Sequence, residues 1–200
     1  MKQTQLSTTA QINAAQKQAF SNIAKSIDFN CYLPNNVFIG GWNVFLFCES
    51  DRIFGQEFII ALKLFLSIEE SCVSCLFNID RAKANEFNES SVIFIDGNVT
   101  ENSYREALRS GGPANGWLYG VDRYACASDA GQWCMYCEKD NDIAIIGLHT
   151  STDIEKFKNP LDCLRAKTIK NLVADGKKSP YPFGDLAPVW REGLLNNYGK

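Results

Sequence analysis

Two apolar runs, residues 132–138 (QWCMYCE) and 143–148 (IAIIGL), stand on either side of the polar tetrapeptide Lys139-Asp140-Asn141-Asp142. Each run is too short for a stable helix, and the spacer has the composition of a turn, so the segment predicts an antiparallel β-hairpin with a polar tip. The thiols Cys134 and Cys137 fall inside the first apolar arm and read mainly as core. Any fold for this chain must therefore accommodate the hairpin together with the elements that pack with it.

The remaining punctuation supplies those elements. A 3–4 spacing of Ile12, Ala15, Ala19, Phe20, Ile23 and Ile27 predicts an amphipathic helix over 8–27, capped by Ser7, Thr8 or Thr9. Pro34-Asn35-Asn36 predicts a turn, followed by strands at Val37–Ile39 and Trp42–Cys48 that are separated by Gly40-Gly41. Residues 56–70 are apolar almost all round, which predicts a central buried helix. Short strands are expected at Cys72–Ile79 and Ser91–Ile95, and a short helix between Thr100 and Gly111-Gly112-Pro113. Asn159-Pro160-Leu161-Asp162 has the form of a helix start, and the spacing extends that helix to about residue 174, with Gly176 as its stop. Residues 176–200, with Pro180, Pro182, Pro188 and Trp190 and no periodicity, are expected to lie extended over the body. Helices at both ends around antiparallel strands predict one α+β domain over 1–200, a mainly antiparallel sheet packed against helices.

Composition narrows the class. The 200 residues are 46% hydrophobic and 22% charged, which excludes wholesale disorder and fibrous repeats. The N-terminal segment lacks the apolar stretch of a secretory signal and no run reaches the length of a membrane span, so the chain reads as cytoplasmic, without membrane contact. In that compartment its eight cysteines are expected as free thiols. The net charge of -3 hides an asymmetry: residues 51–150 carry fifteen acids against eight bases, and residues 151–200 six against nine. A direct nucleic-acid partner is not expected from so weak an overall field.

Several constellations invite chemistry. Cys72, Cys75, Cys134 and Cys137 form two Cys-x-x-Cys pairs that could in principle hold zinc, but Cys134 and Cys137 fall in one predicted strand, where positions i and i+3 point to opposite faces. His149 is the only histidine, and counting across the hairpin tip sets Cys134 beside Gly147. His149 is then a diagonal neighbour of Cys134, about 7–8 Å away, where a general base needs about 3 Å. A Cys- or metal-dependent hydrolase using Cys134 and His149, or the hairpin carboxylates, is nevertheless the enzymatic alternative. The carboxylates Asp122, Asp129, Glu138, Asp140 and Asp142 could form a Mg²⁺ site or a solvated acidic surface. On the expected C-terminal helix Lys167 and Lys170 share a face that could touch phosphates, and a small-molecule or nucleic-acid-binding regulator is the second alternative. No Gly-rich phosphate loop is present.

The segment Gly41-Trp42-Asn43-Val44-Phe45-Leu46-Phe47-Cys48-Glu49 and the hairpin Gly131–Gly147 resemble parts of the immunity proteins of bacterial contact-dependent growth inhibition and related polymorphic toxin systems. The resemblance implies a non-enzymatic, cofactor-free inhibitor that binds a cognate toxin domain and blocks its active site. Many toxin domains that cut nucleic acid have basic clefts, which an acidic patch would approach quickly. The expected partner contacts are Asp122, Asp129, Asp140 and Asp142, with Trp117, Tyr119 and Tyr124 as aromatic anchors.

Overall fold

The structure, a computed structural model, describes residues 9–81, 91–112 and 116–199. The possible caps Ser7 and Thr8, the helix stop at Pro113 and residues 1–8 of the N-terminal segment lie outside the described residues.

Six strands form one antiparallel sheet in the order β1-β6-β5-β4-β2-β3: β1 (Val44–Glu49), β2 (Val73–Asn78), β3 (Val92–Asp96), β4 (Arg123–Ser128), β5 (Trp133–Glu138) and β6 (Ile143–Leu148). The β5–β6 hairpin has the register counted from its tip, with Cys134 opposite Gly147 and Glu138 opposite Ile143. Every residue of β2, β4, β5 and β6 is buried. The absence of alternation has a direct cause, since helices cover both faces of the sheet.

One face carries α2 (Gln56–Glu69), α3 (Glu101–Arg109), α4 (Thr152–Lys156) and α5 (Lys158–Cys163). Phe58, Leu62 and Phe65 of α2 join Phe157, Leu161 and Leu164 over Leu46, Cys126, Met135 and Ile146. Phe65 stacks on Trp133 at 4.4 Å, an arrangement worth about 0.5–1.5 kcal/mol beyond its buried area. Helix α3 begins with a capping box in which Ser103 N donates to Thr100 Oγ1 (3.2 Å) and Thr100 N to Ser103 Oγ (2.9 Å). The other face carries α1 (Thr9–Ser26), α6 (Ile169–Val173) and α7 (Pro188–Tyr198). There Ala19, Ile23, Ile169, Leu172, Leu194 and Tyr198 pack on Phe47, Phe77, Tyr136 and Ile145. Gly147 is required on this side, because a Cβ there would meet the Phe38 ring at 2.7 Å. Among the described residues no helix is long and apolar enough to cross a membrane.

The α+β class and the antiparallel sheet packed against helices agree with the sequence, while three local expectations are corrected. Val37–Ile39 is not a strand: only Phe38 forms a bridge, to Ile27. Residues 123–128, to which the sequence pattern assigns no element, form the central strand β4. The helix expected over 160–174 breaks after Cys163, because Lys167 leaves it to exchange hydrogen bonds with Phe47 on the outer edge of β1 (2.7 and 3.0 Å). Lys167 and Lys170 therefore do not share one helical face. The C-terminal segment is not wholly extended, since α7 turns Leu194 and Tyr198 into the core.

Candidate partner-binding end of the sheet

The strands begin and end at two edges of the molecule, and the acidic residues singled out from the sequence divide between them. The tip end holds the β5–β6 turn, the start of β4, the end of β2 and the end of β1 with the 3-10 turn Ser50–Phe54 that follows it. Asp122, Asp140 and Asp142 lie here. Asp129 does not: it follows β4 at the far end, where its Oδ1 accepts from Cys72 N and Val73 N, each at 3.0 Å. Asp122 and Asp129 flank a six-residue strand, which separates them by about 20 Å.

The aromatic candidates divide as well. Trp117 is 2% exposed, with Nε1 donating to Ser91 O (3.1 Å) and its ring 5.7 Å from that of Tyr124. Tyr124 is fully buried and its hydroxyl donates to Ser50 O at 2.5 Å. Both are core residues that support the tip end from beneath, so neither is an exposed anchor. Tyr119, 39% exposed, does face outward, and its carbonyl accepts from Arg81 Nε just beyond β2.

Two more exposed tyrosines join it. Tyr32 is 53% exposed and lies over the guanidinium of Arg123 at 4.1 Å, at the start of β4. Tyr181 is 60% exposed and its hydroxyl donates to Asp142 at the start of β6, which raises the Tyr181 pKa from its ordinary value. Asp51, on the 3-10 turn, is exposed beside them. The tip end thus presents three tyrosines among Asp51, Asp122 and Asp140, acids without an ion pair among the described residues.

The remaining acids of this end are consumed internally. Asp80 accepts from Arg123 Nε (2.9 Å) and from Asp122 N and Arg123 N. Arg123 Nη1 also donates to Phe29 O (2.9 Å), tying the loop that carries Tyr32 to the sheet. Glu138 accepts from Leu33 N (2.7 Å), Tyr136 OH (2.8 Å) and Asn141 Nδ2 (2.9 Å). With Glu138 so occupied and Asp129 at the opposite end, the five carboxylates considered for Mg²⁺ do not converge.

Comparison of the chain with protein-family models, with curated proteins and with solved structures finds no match. What the site can do therefore rests on its geometry.

That geometry separates the groups considered for catalysis. Cys134 is fully buried, burial pushes its thiol up to about 12, and its Sγ lies 4.0 Å from Met135 O. A thiol in that state is neutral and not a nucleophile. His149 stacks on Trp42 (ring centroids 4.0 Å apart) and directs Nδ1 to Gly41 O (3.2 Å) and Nε2 to Gly131 O (3.4 Å), so it does not hydrogen-bond Cys134. Cys134 packs into the core beneath α1 and Cys137 into the core beneath α2, on opposite faces as strand geometry predicts. Among the described residues no group of three or more His, Cys, Asp or Glu is arranged to hold a metal ion.

Tyr32, Tyr181 and Asp51 are absent from the sequence-based candidates. Their signal is long-range, since Tyr32 and Tyr181 meet the sheet end only through Arg123 and Asp142. Asp129 could have been excluded from sequence, had residues 123–128 been recognised as a strand with an acid at either end.

Proposed function

We propose that this chain is a non-enzymatic inhibitor of the immunity type, which sets the tip end of its sheet against the basic active-site cleft of a cognate toxin domain. The observation that carries the reading is the co-location of exposed Tyr32, Tyr119 and Tyr181 with Asp51, Asp122 and Asp140. Tyrosine supplies large contact area at little conformational cost and is enriched among residues that dominate binding energy. Unpaired acids speed encounter with a positively charged partner and disfavour an acidic one. The buried supports Trp117, Tyr124 and Arg123 hold this end in place before binding, which lowers the ordering cost of association. The neutral, enclosed Cys134 thiol favours binding over hydrolysis.

Co-expression of the chain with the toxin domain encoded by the adjacent gene tests the proposal. The expected outcome is a stable complex and protection of the cells from the toxin. Both are expected to weaken in the Tyr119→Ala/Asp122→Asn double variant at unchanged thermal stability. Failure of the wild-type chain to bind or protect, or full binding by the double variant, would overturn this assignment of the surface.

A further inference from the structure

A cleft of about 220 Å³ opens on the β1 flank of the sheet, between the 3-10 turn, the connection from α5 to α6 and the C-terminal segment. Its wall carries Arg52, Arg165 and Lys167 with one acid, Glu49, above an apolar floor that includes Leu172 and Phe183. Three cations against one acid is an unusual local balance in a chain of net charge -3.

These cations are not committed elsewhere. Among the described residues neither Arg165 nor Lys167 has a side-chain hydrogen bond or ion pair. Arg52 meets Glu49 through Nη2 at 3.2 Å, a partly exposed pair of the kind that contributes little, while its Nε is buried without a partner. A buried guanidinium N–H left open is costly unless a ligand accepts from it.

The backbone at Arg165 gives a second, independent indication. Helix α5 ends in a Schellman motif: Ala166 N donates to Leu161 O (2.9 Å) and Arg165 N to Asp162 O (3.0 Å). The motif puts Arg165 in the left-handed region at φ 52°, where glycine is favoured and a Cβ crowds the backbone. A cation therefore occupies a position whose geometry favours glycine, and it lines the cleft. Lys167 is fixed beside it because its own backbone is bridged to Phe47.

We propose that this cleft binds a dianionic phosphate group, either free or as the head of a small phosphate ester, through Arg52, Arg165 and Lys167. Guanidinium groups match phosphate oxygens in paired hydrogen bonds, and lysine adds a point charge. The cleft is smaller than the roughly 300–1,000 Å³ sites that take drug-sized ligands, so any body attached to the phosphate is compact. The cleft adjoins the proposed partner surface, since Tyr181 lines its rim, but none of the three cations is a proposed partner contact, and titration without a toxin tests the phosphate site separately.

Calorimetric titration of the full chain with inorganic phosphate and, separately, with ribose 5-phosphate tests it. Binding by at least one probe, weakened by added salt, is expected. Tighter binding of ribose 5-phosphate identifies an ester as the source of the group, and equal binding identifies free phosphate. Arg165→Gly keeps the helix end and relieves its backbone, so the unliganded chain should melt no lower than wild type while affinity falls about tenfold. Lys167→Met should act in the same direction, and Lys170→Met, outside the cleft, should leave affinity unchanged. The proposal is overturned if neither probe binds, if Arg165→Gly and Lys167→Met bind as wild type does, or if Lys170→Met weakens binding as much as they do.

Discussion

The two ends of the sheet are built from similar residue types and use them in opposite ways. At the far end several polar groups are turned inward: Glu69 accepts from Gln132 N (2.9 Å) and Trp133 Nε1 (3.0 Å), and Asp129 closes on Cys72 and Val73. Asn22 Nδ2 donates to Ser128 O and Asp129 O, and His149 lies between two carbonyls. At the tip end Asp80 and Glu138 perform the same stitching, yet Asp51, Asp122 and Asp140 remain outside it. Charge counting treats Asp122 and Asp129 alike. What separates a latch from a contact surface is whether the backbone has already claimed the carboxylate.

The comparison can be broken at four points, taken from the largest expected effect to the smallest. Trp117→Ala removes a core residue from beneath the tip end and should lower unfolding free energy by roughly 3–5 kcal/mol in urea titration. A near-neutral result would mean that Trp117 is a surface anchor after all. Glu69→Ala strands the buried Trp133 Nε1, at roughly 1–3 kcal/mol, and the part-buried Gln132 N at a smaller cost. Burial holds the Glu69 carboxyl above the usual range, against the pull of its donors from Ser128, Gln132, Trp133 and Ser71. A carboxyl raised on folding contributes stability that is present at low pH and lost as pH rises through its folded value. Wild type should therefore lose stability on going from acid to neutral pH relative to Glu69→Gln, a difference readable from melting curves across that range.

At the third point, Asp129→Ala should cost about 1 kcal/mol, chiefly through Val73 N, and leave the partner association rate unchanged. Asp122→Asn with Asp140→Asn should invert that pattern. Stability should move by less than about 0.5 kcal/mol, while association with a basic partner slows and loses part of its salt dependence in stopped-flow measurements. If Asp129→Ala slowed association as much as the tip pair did, the division between the two ends would fail.

Part of this was legible from the residues alone. The hairpin register, the buried α2 and the Thr100 cap are local patterns, and they fold as the spacing predicts. Strand β4 was not legible because its sequence, RYACAS, is short, small and neither alternating nor strongly apolar. Ala125 and Ala127 are small because α1 packs against that strand, a tertiary demand that leaves no periodic trace. The break after α5 is equally non-local, since the bridge between Lys167 and Phe47 overrides a good helical pattern. Of the seven candidate contacts, Tyr119, Asp122, Asp140 and Asp142 lie at the tip end on its surface. Trp117 and Tyr124 have the composition of anchors and the burial of core, which only packing could distinguish.

The covering of the sheet on both faces also constrains how such a chain can diverge. A substitution along β2, β4, β5 or β6 meets a packed interior, whereas the 139–142 turn and the exposed positions Tyr119, Gly120 and Asp122 change at little expense to the core. Selection for a new partner would therefore fall on the turns, and two descendants could lose each other's specificity while remaining superimposable strand for strand.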